Sequence, residues 1–239
     1  MEVQRLIAGQ ITSPAGLWRQ GDSMQEPLRF PVPVYLIETD SARVLVDTGL
    51  APAAVADVRG HYGLEQFELE QDASIADLID LPSLTHVVLT HLHFDHAGGL
   101  SLLPPGVPVV VQRREWRAGH DAAAIARNFL QPRDYADREV VTVDGEHDLL
   151  GDGSIRLMPT PGHTAGHQSL WVTERLLIGG DVVHFASSLD DLRFPVFADD
   201  HAAQADSARR LRAHRDAGVT VTPGHDPAVI GPGPVLATT

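Results

Sequence analysis

The sequence has no cysteine in its 239 residues, which excludes disulfides and thiolate metal sites together. Any metal would be held by nitrogen and oxygen, a donor set that suits zinc, iron, manganese or cobalt and does not select one. Long apolar runs are missing too, since no stretch approaches the ~20 residues that a membrane-spanning helix needs. The first residues, MEVQRLIAGQ, lack the basic-then-apolar pattern of a secretory leader, so the expected location is the cytoplasm. Positive charge is scarce: 18 Lys and Arg stand against 32 Asp and Glu, a formal net charge of −14. Such a surface repels phosphate backbones. The densest basic stretch, Arg209, Arg210, Arg212 and Arg215, is interleaved with Asp206 and Asp216 in a helical pattern that reads as a solvated face. Neither nucleic acid nor membrane is therefore an expected partner.

What remains is an ordinary globular composition, 43% hydrophobic and 21% charged, enough for one core. No linker or low-complexity segment divides the chain, and one α/β domain over 1–239 is expected. The opening as far as Arg29 reads as irregular, punctuated by Gly and Pro. PVPVYLIET and ARVLVDTG then pattern as a hairpin turning at Asp40-Ser41. APAAVADVRG and DASIADLIDL have helical spacing, the latter closed by Pro82. THVVLT and VPVVVQ are buried-strand candidates. Between them AGGLSLL reads as a short helix, and Arg113 to Leu130 as a longer one. REVVTVD, SIRLMPT, SLWVTE, RLLIGGD and VTVTP pattern as later strands, with a helix over DHAAQADSARRLRAHRDAG. Two strand-rich halves suit a helix–sheet–sheet–helix sandwich.

The polar clusters sit where apolar strands stop, and loops leaving one end of a sheet converge in space. HLHFDH, directly after VVLT, places His91, His93, Asp95 and His96 within six positions. Neutral imidazole and carboxylate are standard zinc ligands, and a turn leaving a strand can splay the four into two groups. Two neighbouring cations would use His91 and His93 on one, Asp95 and His96 on the other. Four residues cannot close two such sites. The chain offers three more: His163 in PTPGHTAGHQS, Asp181 in IGGDVVH and His225 in TPGHDP. Each follows a strand-like run and a glycine that permits close backbone approach. Asp181 is the natural bridge, because one carboxylate can give an oxygen to each ion.

These pieces, VDTG at Val46–Gly49, HLHFDH, Gly162-His163, Gly180-Asp181 and Gly224-His225, resemble in type and order the metallo-β-lactamase superfamily. The resemblance covers the chain from about Pro33 to Pro227 and implies an αββα sandwich with a dinuclear centre. It would place His91, His93 and His163 on the first ion, Asp95, His96 and His225 on the second, and Asp181 on both. HLHFDHAGG, VVVQRREW, TPGHTAGHQSL and YLIET…VLVDTG are similar to the N-acyl-homoserine lactonases that quench quorum signals. Oxygen-reducing members carry a glutamate where this chain has His93, which disfavours a redox role. Those lactonases usually have a tyrosine three residues after the bridging aspartate, where this chain has His184. Histidine can donate a similar bond to a substrate carbonyl, and it can equally serve structure. Phe94 is a candidate wall of the substrate pocket, or a packing residue. By the same resemblance Asp47 braces the metal loop through hydrogen bonds. His167 is expected to fix a loop or a ligand, His86 is as apt for structure, and His61, His120, His147, His201 and His214 read as surface residues.

The implied reaction is opening of a lactone ring, foremost of N-acyl-homoserine lactones, by attack of a hydroxide bridging two divalent ions, zinc first among them. Asp95 would return a proton to the leaving oxygen, and His184 would assist at the carbonyl. The expected partner is a small-molecule lactone, and a homodimer is compatible. Other hydrolyses on the same centre stay open: a different lactone, a thioester of the glyoxalase II kind, or a phosphotriester. A β-lactam substrate, a nuclease and a non-catalytic metal protein fit less well.

Overall fold

Alternating apolar residues form strands throughout the computed structural model, which describes residues 1–236; residues 237–239, the end of the expected 1–239 unit, lie outside it. In chain order the strands are β1 (Glu2–Pro14), β2 (Pro27–Glu38), β3 (Arg43–Val46), β4 (Glu68–Glu70), β5 (His86–Val88), β6 (Val109–Gln112) and β7 (Val141–Val143). They continue as β8 (His147–Asp148), β9 (Ile155–Pro159), β10 (Gln168–Val172), β11 (Leu176–Ile178), β12 (Thr220–Thr222) and β13 (Gly233–Leu236). One sheet runs β13-β1-β2-β3-β5-β6-β7, with β4 also on β1, and the other runs β12-β11-β10-β9-β8. The first is antiparallel as far as β3 and parallel from β3 to β7. In the second, β12 lies parallel to β11, joined to it across the helix His201–Asp216.

The period of two along each strand decides what each sheet face meets. Val44, Val46, Val88 and Val110 point from the first sheet to Ile155, Leu157, Leu170, Val172, Leu176 and Ile178 of the second, making an inter-sheet core. Their neighbours Leu45, Val87, Leu89 and Val109 point the other way, onto Ile75, Leu100, Leu130 and Tyr135 of the outer helical layer. On the far side, Met158 and Leu177 meet Ala208 and Leu211 of the helix His201–Asp216. The result is an αββα sandwich. No helix among the described residues is long and apolar enough to cross a membrane.

The structure departs from the sequence reading at both ends. The opening is not irregular: β1 is 13 residues long and pairs with β2 from Glu2↔Glu38 to Pro14↔Pro27. Its apolar period is diluted by Gln4, Arg5, Gln10 and Thr12, and a register shift between Ile7 and Gln10 breaks it. Such a bulge moves the later side chains to the opposite phase. β13 contains Pro234 and tolerates it as a strand because it lies at an edge. The long helix expected from Arg113 divides into Arg113–Ala118 and Ala122–Asn128, the second capped by Asp121 on Ala124 N–H at 2.9 Å. The arginines of the last helix are tied locally: Arg209 to Asp206 at 2.6 Å, and Arg215 to Asp190 and Asp216 at 2.8 and 2.9 Å.

Truncating the inter-sheet core tests the layering. Leu157→Ala, at a fully buried position, is expected to cost roughly 2–5 kcal/mol, read as a lower urea midpoint at constant slope. Met24→Ala, 51% exposed, should stay within about 0.5 kcal/mol of the parent. Equal effects at the two positions would contradict the core assignment.

Candidate metal centre

Five loops leave the same edge of the sandwich. In the first sheet they follow β3 and β5, bringing Asp47 and the His91–His96 run. In the second they follow β9, β11 and β12, bringing His163, Asp181 and His225. All seven candidate ligands are buried, and their donor atoms form two groups: His91, His93, His163 and Asp181, and beside it Asp95, His96 and His225. Asp181 joins them. Its Oδ2 lies 3.5 Å from His163 Nε2 and 3.9 Å from His91 Nε2. Its Oδ1 lies 3.2 Å from His225 Nε2 and 3.5 Å from His96 Nε2. Asp95 Oδ2 completes the second group at 3.4 Å from His225 Nε2 and 3.7 Å from His96 Nε2.

Four of the five candidate imidazoles are held by their other nitrogen, and His163 Nδ1 has no partner among the described residues. His93 Nε2 donates to Asn128 O at 2.8 Å, and His225 Nδ1 to Pro31 O at 2.8 Å. His96 Nδ1 meets Asp47 Oδ2 at 2.8 Å. Asp47 also accepts from Thr90 N–H at 2.7 Å and from the Thr90 hydroxyl at 2.9 Å. A hydroxyl spent on that carboxylate can only accept from His91 Nδ1, 3.0 Å away. These bonds fix the tautomers. His91 Nε2 and His93 Nδ1 both carry lone pairs and stand 2.9 Å apart, with His163 Nε2 also 2.9 Å from His93 Nδ1. Lone pairs packed that closely repel unless a cation lies between them.

The second group makes the same demand. Asp95 Oδ2, His96 Nε2, Asp181 Oδ1 and His225 Nε2 are buried without hydrogen-bond partners among the described residues, an arrangement that costs roughly 1–3 kcal/mol per group when uncompensated. Donors ~2.0–2.2 Å from one ion stand roughly 3.0–3.6 Å apart, and the separations here run from 2.9 to 3.9 Å around that range. The residues present therefore fit a divalent metal. Charge agrees with this in the first group, whereas in the second Asp181 and its neighbouring carboxylates overcome burial and raise His96 and His225 above the ordinary histidine value. Burial, aided by neighbouring imidazoles, holds His91 and His163 well below the usual histidine range, and burial brings His93 down to about 4, so all three stay neutral. Burial opposes the charge on Asp181, but His184, His225 and His96 outweigh it and hold the carboxyl well below its ordinary value.

Further residues fix the Asp181 loop. Asp181 N–H donates to His167 Nε2 at 3.0 Å, and His167 Nδ1 meets Thr160 Oγ1 at 3.0 Å. Gln204 holds Asp181 O and Val182 O at 3.0 and 3.1 Å. Two glycines make the approach possible. Gly162 has φ +132° and its Hα side lies on the Gln204 backbone, while a Cβ at Gly224 would run into Asp181 Oδ1. Glu115 spans the two sheets' loops, accepting from Leu92 N–H at 3.0 Å and Gly166 N–H at 2.7 Å. Burial pushes its carboxyl up to about 7 against those bonds. Glu115, Gln204 and Asn128 escaped the sequence reading because a buried acid or amide inside a helix looks like any helical surface residue.

A cavity of about 340 Å³ opens beside the centre, lined by Leu17, Trp18, Phe67, Phe94, Phe129 and Phe197, with His93 and Asp95 among its polar edges. Phe94 faces it and also packs, buried, with Trp18, Leu50 and Leu69, so the position has both contacts. Trp18 came from the segment read as irregular and was missed. His184 does not line this cavity. It lies behind Trp18, ring centroids 5.5 Å apart, with Nε2 3.0 Å from Asp181 Oδ2. None of His61, His120, His147, His201, His214 or His86 is buried, and none reaches the cluster.

Comparison with known proteins follows the same lines. The family model of the metallo-beta-lactamase superfamily matches residues 28–225. A curated N-acyl homoserine lactonase, AttM of Rhizobium johnstonii, is 30% identical over 83% of this chain and 82% of its own length. A solved N-acyl homoserine lactone hydrolase, with the product N-hexanoyl-L-homoserine at its catalytic metal centre, shares the fold at TM-score 0.82 and 24% identity, over 94% of this chain and 93% of that one. AidC, a dizinc quorum-quenching lactonase in complex with the same product, does so at TM-score 0.74 and 17% identity, over 97% and 92%. The matched region takes in every candidate ligand and the relative spans most of both chains, so this protein belongs to the metallo-beta-lactamase superfamily.

Proposed function

We propose that this protein is a metal-dependent hydrolase that opens the ring of N-acyl-homoserine lactones. The observation that carries the reading is the division of Asp181, one oxygen to each of two buried His/Asp groups, beside an apolar cavity. A metal pair suits that division, with His91, His93, His163 and Asp181 holding one ion and Asp95, His96, His225 and Asp181 the other. Zinc is the first candidate, on the donor set and on the dizinc relative. Such ions, when bound, supply a water of lowered pKa and polarise a carbonyl oxygen.

The chain's own residues do the rest. The aromatic wall of Trp18, Phe67, Phe94, Phe129 and Phe197 takes the acyl chain, each buried methylene contributing about 0.8 kcal/mol, and keeps bulk water from the reacting ester. Relatives hold hexanoyl and decanoyl products at this kind of centre. Asp95 borders both the cavity and the second donor group. In this reading its carboxylate takes the proton of the attacking water and returns it to the ring oxygen as the C–O bond breaks. The product is the open-chain hydroxy acid. The same site would admit another lactone, a thioester of the glyoxalase II kind or a phosphotriester, and the apolar wall favours a substrate with a hydrocarbon tail.

Three measurements test this. A pH-indicator assay across acyl-homoserine lactones, simple lactones, thioesters and phosphotriesters should give the highest kcat/KM on the first class, and a thioester or phosphotriester in front would refute the substrate assignment. Elemental analysis should find about two divalent ions per chain, and Asp181→Asn should lower that content and cut kcat by at least about 100-fold; unaltered metal content would remove its bridging role. Phe129→Ala, at the exposed mouth of the cavity, should raise KM for a decanoyl substrate by about 3- to 10-fold while changing that for a butanoyl substrate less than about twofold. An equal effect on both would detach the cavity from the acyl chain.

A further inference from the structure

His184 follows Asp181 by three residues, beyond the short turn Gly180–Val182. It is 1% exposed, and neither of its ring nitrogens has a hydrogen-bond partner among the described residues. Nε2 stands 3.0 Å from Asp181 Oδ2 without the geometry of a hydrogen bond. The donor atoms of Asp181, His184 and His225 all lie within 4.8 Å of one another. The ring sits between the two groups of the centre, centroids 4.9 Å from His163 and 5.5 Å from His225. His225 N–H donates to His184 O at 2.9 Å, which locks the two loops together. Trp18 covers it from the cavity side. A buried imidazole with no partner is costly, and here Nε2 stands beside the oxygen that faces His163.

We propose that His184 is itself a metal ligand, sharing a divalent cation with Asp181 through Nε2 and raising the ligand residues of the centre to eight. The inference rests on the reading of the cluster as a metal centre. It takes Nε2 out of the role of carbonyl donor, because a nitrogen that gives its lone pair to a cation has no proton there for a substrate. Its separation from Asp181 Oδ2 matches two donors on one ion at ~2.1 Å each.

Cobalt(II) substitution of the full-length protein, followed by its visible absorption and by competition with a chromophoric chelator, tests this in the wild type, His184→Ala and His184→Gln. Both variants should shift the cobalt bands and release one cation to the chelator at least about 10-fold more readily. Gln keeps most of the side chain's volume and can still donate a hydrogen bond, so it separates ligation from both folding and carbonyl donation. Bands and chelator resistance equal to wild type in the folded variants would overturn the inference, whether or not kcat falls. A wild type that takes up no cobalt would instead bring down the metal-centre reading, and this inference with it.

Discussion

The carboxylate of Asp181 is the constraint around which the other parts are arranged. A buried acid facing five imidazoles must have its orientation set by something other than its charges, or it would swing to whichever cation came first. Backbone bonds supply that: His167 receives its N–H, Gln204 holds its C=O, and the missing side chain of Gly224 leaves room for Oδ1. The oxygens are thereby aimed before any cation arrives. Preorganisation of this kind is what distinguishes a metal site from a mere accumulation of polar residues.

The remaining polar burial is organised outward from there. Asp47 and Thr90 settle the protons of His91 and His96, Asn128 settles that of His93, and Pro31 that of His225. Every one of these partners is a backbone carbonyl or a side chain at the end of a strand. The sheets therefore do two jobs with one alternation of residues. Their valines and leucines pack the layers, and the loops after β5, β9, β11 and β12 carry the candidate ligands into the cluster.

Much of this was legible in the sequence, for a physical reason. Strand runs of RVLV, VVVQ and LLI are buried on both faces and cannot be much else, and His and Asp directly after such runs have few structural uses. The hairpin at Asp40-Ser41 and the αββα order followed from the same pattern. β1 was not legible, because its bulge erases the period of two and its burial comes from pairing with β2, β4 and β13. With β1 hidden, Trp18 and its wall of the cavity were hidden too. Glu115 and Gln204 sit inside helices, where only tertiary contact tells a clamp from a solvated residue. At His184 the residue type was visible but its direction was not. Both carbonyl donation and a structural role were compatible with the letter H, and the ring's placement behind Trp18 is a fact of packing.

Glu115 joins the loop after β5 to the loop after β9 by accepting one amide from each. The two loops grow from different sheets, so neither half of the protein owns a complete set of donors. Any cation held there would bind the closed sandwich and not the separated sheets, and so would favour the folded state as its concentration rises.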